Sequence, residues 1–230
     1  MSSSPDRAAL EQIFDLLLEY HGPQHWWPAD SHFEMITGAI LTQNTAWSNV
    51  EKALSNLRAA DVWSFPASLA LPQDELAALI RPSGYYNQKA RKLQTFARFL
   101  DEKFGGDTRR LFQLELPELR ATLLSLWGIG EETADDIVLY AAKKPSFVID
   151  AYTIRFVDRL GWHADGNSYN DFQRLFTSQL PADANMFGEF HALIDRHCHT
   201  ICKKTPLCAD CCLKEICPTG RANKASPATR

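Results

Sequence analysis

The segment Leu123-Leu124-Ser125-Leu126-Trp127-Gly128-Ile129-Gly130-Glu131-Glu132-Thr133-Ala134-Asp135 closes one helix, turns on two glycines and opens another. Glycine tolerates backbone angles that other residues avoid. A Gly-x-Gly turn at a helix start leaves amides exposed where the helix dipole is positive, which suits a phosphate. Ile129 can plug the turn against its own helices. Taken alone the pattern also fits a plain helical hairpin, so its surroundings must choose between the two.

On both sides of this turn the dominant period is helical. Leu10, Ile13, Phe14, Leu17 and Leu18 recur at the spacing of a one-sided amphipathic helix, and His21-Gly22-Pro23 ends it. Similar patterns predict helices over 33–41, 47–57, 72–80, 85–104, 117–126, 131–142, 152–160, 169–180 and 186–197. In the helix over 85–104, Leu93, Phe96, Ala97 and Leu100 form the apolar face, and Lys89, Arg91, Lys92 and Arg98 are assigned to the others. Gly105-Gly106 stops it, and Asp107 can cap the next helix. Pro117 sits in a first turn, where its missing N–H costs nothing. Residues 146–150 read as a short extended stretch. With no run of alternating strands, the expected fold class is all-α. The polar tail over 218–230 is expected to fray.

Of the 230 residues, 45% are hydrophobic and 23% charged, which excludes a disordered or collagen-like chain. No uncharged apolar run approaches the ~18–20 residues that cross a bilayer. Residues 1–6 show neither a basic nor an apolar leader region, so a cytoplasmic location is expected. Twenty-four basic residues against 28 acidic ones leave a net charge of −4, so any nucleic-acid-binding patch must be local. All six cysteines lie between Cys198 and Cys217. A disulfide scaffold would spread them, so this clustering points to one metal or cluster site.

The hairpin followed by Val148-Ile149-Asp150 resembles the helix-hairpin-helix and Gly/Pro…Asp motif of the endonuclease III superfamily of DNA glycosylases. The resemblance spans nearly the whole chain. Ile40-Leu41-Thr42-Gln43-Asn44-Thr45 matches the family's glutamine-bearing helix end, and Gly84-Tyr85-Tyr86 with Lys89-Ala90 matches its central helix start. It implies two helical domains with a DNA-binding cleft. One comprises residues 31–143, a six-helix unit with the hairpin. The other joins residues 1–30 to 144–230 and holds the cysteine loop. A monomer bound to double-stranded DNA containing a damaged base is the implied state.

For Asp150 the simplest reading is a helix N-cap. The resemblance implies the catalytic carboxylate, which stabilises positive charge developing on the sugar and orients a water. Bifunctional members carry a lysine two residues after the second hairpin glycine, as the amine of a Schiff base. Here that position is Glu132, which cannot form one, and this departure implies hydrolysis by water without lyase chemistry. Gly128, Ile129 and Gly130 are the implied phosphate contacts.

Trp26-Trp27-Pro28 and Gln43-Asn44-Thr45-Ala46-Trp47 resemble the 3-methyladenine DNA glycosylase III branch in particular. An extruded base is held by stacking, and an electron-poor alkylated purine favours a Trp face. Trp26, Trp27, Pro28 and Trp47 are thus candidate base-pocket residues, although aromatics at such spacing also serve as core anchors. Gln43 is the candidate for insertion into the duplex, or else an ordinary polar helix end.

Cys202-x5-Cys208-x2-Cys211-x5-Cys217 supplies enough thiolates for a [4Fe–4S] cluster or a four-thiolate zinc site, and spacing does not separate the two. The resemblance implies the [4Fe–4S] cluster, although the family usually has one more residue between its first two cysteines. Cys198 and Cys212 are spares, and Cys212 can compete with Cys211. Between Arg196 and Lys224 six basic residues face two acidic ones, with Lys203 and Lys204 inside the loop as candidate phosphate contacts. The function expected is a base-excision glycosylase acting on alkylated purines. A bifunctional oxidised-pyrimidine glycosylase and lyase, a non-catalytic lesion-binding protein and a redox protein stay open.

Overall fold

Capping side chains set many of the helix boundaries. The computed structural model describes residues 4–224, and among them every regular element is helical, as expected. In order these are α1 (Arg7–His21), α2 (His32–Leu41), α3 (Trp47–Ala59), α4 (Phe65–Ala70), α5 (Gln73–Leu79), α6 (Tyr86–Phe104), α7 (Thr108–Leu111), α8 (Leu116–Leu124), α9 (Glu131–Asp136), α10 (Ala151–Arg159), α11 (Tyr169–Thr177), α12 (Ala184–Thr200) and α13 (Pro218–Lys224). Asp6, Ser31, Ser64, Asp107, Asp150, Ser168 and Asp183 each accept a first-turn amide at a helix start. Ser168 and Asp171 complete a reciprocal capping box.

The chain divides into two units, Met1–Trp26 with Pro145–Arg230, and Trp27–Lys144. In the second, α2 is buried at Phe33 and from Met35 to Leu41. Such a helix must be surrounded, and α3, α6 and α9 all pack on it. Val50, Ala53, Leu54 and Leu57 of α3 face inward at the expected spacing. Arg120 on α8 holds the fully buried Asp135 of α9 with two hydrogen bonds, at 2.9 and 3.0 Å, locking the hairpin's two helices together. The core of the first unit is aromatic. Phe147 stacks on Phe176 at 4.0 Å between ring centres, and Phe187 and Phe190 meet them edge-on.

Several local expectations change. Tyr85 does not start α6, because its own backbone is left-handed at φ +45°. Lys89 is not on a polar face: it is 2% exposed, in the apolar stripe with Leu93 and Phe96. The helix after the hairpin becomes a π-helix over Ile137–Ala141. Helices α4 and α7 are too short to show a period, and the sequence pattern sets no range for either, although Asp107 caps α7. Residues 218–224 form α13 instead of fraying. Gly220 packs so closely that a Cβ would come within 2.9 Å of the Lys214 backbone, and Arg221 donates to the Glu215 carbonyl. Residues 225–230 of the expected frayed tail lie outside the described residues.

Candidate active site

In the hairpin, Gly128 is required twice over. Its φ is +87°, and a Cβ there would meet the Lys92 stem at 2.5–2.8 Å. Ile129 is buried inside the turn, while Trp127 is 46% exposed beneath the Arg91 guanidinium, 4.1 Å from its ring centre. Gln43 reaches back to the turn. Its Nε2 donates to the Gly128 carbonyl at 3.2 Å and to Thr133 Oγ1 at 2.8 Å, and its Oε1 accepts from Lys92. The structure thus brings Gln43 and the hairpin together. Glu132 lies exposed in the first turn of α9.

Asp150 ends a segment in which Phe147, Val148 and Ile149 are buried. The Ile149 amide is held by the Tyr169 hydroxyl at 3.1 Å. Half-buried, Asp150 caps α10 by accepting the Thr153 amide at 2.7 Å through Oδ1. Beside it, His199 bridges the Tyr152 hydroxyl (3.0 Å) and the Asp195 carboxylate (3.2 Å). Burial raises the Asp195 pKa; His199 opposes the rise, and the Asp150 charge adds to it.

The tryptophans divide. Trp26 stacks on His191, with centres 5.7 Å apart and planes at 29°. Trp27 meets Trp47 edge-on at 5.2 Å and 82°, and Tyr140 of the π-helix at 5.6 Å. In this arrangement Trp27 and Trp47 cannot sandwich a base between parallel faces. Gly38 makes the cluster possible, since a Cβ there would sit 3.3–3.4 Å from both indoles. Pro28 is exposed at the next position.

Cys202, Cys208, Cys211 and Cys217 line one small cavity of about 20 Å³; Cys198 and Cys212 are not among its walls. Each of the four sulfurs faces N–H donors. Arg159 donates to Cys202 at 3.0 Å, Asn223 to Cys208 at 3.1 Å, the Leu213 amide to Cys211 at 3.4 Å, and the Gly220 and Thr219 amides to Cys217. Cys198 hydrogen-bonds to Cys202 and, with Arg159, pulls its thiol below the usual range. Arg159 also donates to the carbonyls of Lys203 and Lys204, whose side chains are exposed. Among the described residues, no three His, Cys, Asp or Glu side chains are placed to hold a single metal ion.

Residues 37–182 match the family model for HhH-GPD superfamily base excision DNA repair proteins. The chain belongs to that superfamily. It is 44% identical over 208 residues to the inferred DNA repair glycosylase MJ1434 of Methanocaldococcus jannaschii, covering 90% of this chain and 94% of that protein. The H. pylori 3-methyladenine DNA glycosylase bound to 1,N6-ethenoadenine superposes with a TM-score of 0.71 at 30% identity, over 83% of this chain and 94% of that one. A trapped endonuclease III–DNA covalent intermediate superposes with a TM-score of 0.81 at 23% identity, over 96% and 99%, and shows the shared fold. The protein is therefore a DNA glycosylase of endonuclease III-like fold.

Two residues of this glycosylase escaped the reading of function from sequence. Lys89 donates to the carbonyls of Leu41 (2.8 Å) and Ser83 (2.7 Å). Burial, and then the Lys92 charge, lower its pKa to about 8. Lys92 crosses the hairpin glycine to reach Gln43. The one available signal was a lysine four residues before Leu93, on the apolar stripe.

Proposed function

We propose that this glycosylase is monofunctional. It flips an alkylated purine such as 3-methyladenine out of duplex DNA and hydrolyses its N-glycosidic bond, working as a monomer in the cytoplasm. The observation that carries the reading is Glu132 at the position where bifunctional members hold the amine. A carboxylate cannot attack the sugar to give a Schiff base, which leaves water as nucleophile. Asp150 stabilises positive charge on the sugar and holds that water. A 3-methylated purine is already a good leaving group, so one carboxylate suffices. Trp47 supplies a stacking face for the extruded base, and its edge-on partner Trp27 braces that ring. The likeness to the H. pylori enzyme supports an alkylated-purine substrate. Gln43 fills the gap left in the duplex, and the 128–130 amides with Lys203 and Lys204 contact phosphates.

In this reading Cys202, Cys208, Cys211 and Cys217 hold a [4Fe–4S] cluster. Four sulfurs around one cavity, each facing N–H donors, suit a set of anionic thiolates. When bound, the cluster cross-links a loop too short to bury a core of its own.

Base release from duplexes carrying 3-methyladenine, 7-methylguanine or oxidised pyrimidine, run beside borohydride trapping, tests the reading. Release of alkylated purine with no trapped adduct is expected. Efficient trapping, or release of oxidised pyrimidine alone, overturns it.

A further inference from the structure

Beside the hairpin turn, the unit formed by Trp27–Lys144 carries a recess of about 120 Å³ lined by Gln43, Asn44, Tyr85, Gln88, Lys89 and Lys92. Two cations, three carboxamides and a phenol form its walls, and no carboxylate does. Lys89, almost wholly buried, spends two ammonium hydrogens on the Leu41 and Ser83 carbonyls and keeps a third. Lys92 spends one hydrogen on Gln43 and keeps two. Asn44 and Tyr85 both stand at positive φ, +54° and +45°, although neither is glycine. Backbone strain of this kind collects at ligand clamps, where the surroundings enforce it.

We propose that this recess is a second anion site of the glycosylase, one that takes a backbone phosphodiester of duplex DNA between Lys89, Lys92 and Asn44. One buried and one half-buried ammonium group, with spare donors and no carboxylate in the recess wall, lack the one partner that balances them. Burial first, and then the Lys92 charge, lower the Lys89 pKa, and an anion between the two ammonium groups offsets both. A phosphate offers several acceptor oxygens to such donors. The site is independent of which lesion the enzyme removes and of whether it carries lyase activity.

The test is equilibrium binding of the full-length protein to an undamaged and to an alkylated duplex, at salt from about 50 to 200 mM. Neutralising one phosphate contributes a slope of about 0.9 in log affinity against log salt, which corresponds to roughly eight-fold in affinity at about 0.1 M. Lys92→Met is expected to weaken both duplexes by that factor and to remove about 0.9 from the slope, while Lys92→Arg keeps both. Asn44→Asp, which sets a carboxylate in the recess and leaves the Lys89 bonds alone, is expected to weaken both duplexes as well. Thermal melting confirms that each variant is folded. An unchanged salt slope in Lys92→Met overturns the proposal. So does a loss confined to the alkylated duplex or to one base sequence, which would make the recess a reader of bases. Binding to undamaged DNA involves no turnover, so a failure here is separate from a failure of the alkylpurine reading.

Discussion

Asp150 carries two duties on one carboxylate. It caps α10 through the Thr153 amide, and in the proposed mechanism it stabilises the sugar cation. The duties separate chemically, because asparagine also caps a helix but carries no charge. Asp150→Asn should therefore melt like the wild type and bind DNA as well. Its rate of base release under single turnover should fall on the order of 10²-fold or more. A rate near wild type would remove Asp150 from the mechanism. The local pattern, an Asp after three apolar residues, favours the cap, and the family resemblance points to the catalytic duty.

Lys89 shows how a residue joins elements. Its ammonium ties the end of α2, at Leu41, to the turn at Ser83 that precedes α6. Burial lowers its pKa to about 8, against about 10.4 in an unfolded chain. Below pH 8 both states hold the proton, and the folded state bears the cost of a buried charge. Between about pH 8 and 10 the folded protein has released a proton that the unfolded chain retains, so this group makes stability rise with pH. Urea unfolding at pH 8 and pH 10 should show that rise in the wild type relative to Lys89→Met. Parallel pH profiles for the two would show that Lys89 does not titrate in this range. Helical periodicity could not find this lysine's role, because its partners lie 48 and 6 residues away, on other elements.

At the scale of the whole molecule, the cysteine tail is the clearest case of chemistry concentrated in one place. If the cluster cross-links the loop, changing Cys202, Cys208, Cys211 or Cys217 to Ser should abolish iron content and visible absorption. The same change at Cys198 or Cys212 should keep both, because neither lines the cavity. Iron lost from Cys212→Ser but kept by Cys211→Ser would exchange those two ligands. Stoichiometric zinc without iron in anaerobically purified protein would reject the cluster.

The helical class, the hairpin and the family were legible in the sequence because they are written in short-range pattern: a 3.6-residue period, a Gly-x-Gly turn, a set of cysteine spacings. Such signals report interactions among residues a few positions apart. The partners of Gln43 are 49, 85 and 90 residues away, and packing alone brought Lys92, Gly128 and Thr133 to it. The same holds for Trp26 and Trp27, adjacent in sequence yet committed to His191 and to Trp47. Residues 218–224 read as a polar tail and fold as a helix, because Gly220 and Arg221 find the backbone of Lys214 and Glu215. Local pattern fixes the longer amphipathic helices. Which polar groups face one another depends on long-range burial, where each desolvated donor must find an acceptor wherever the chain has placed one.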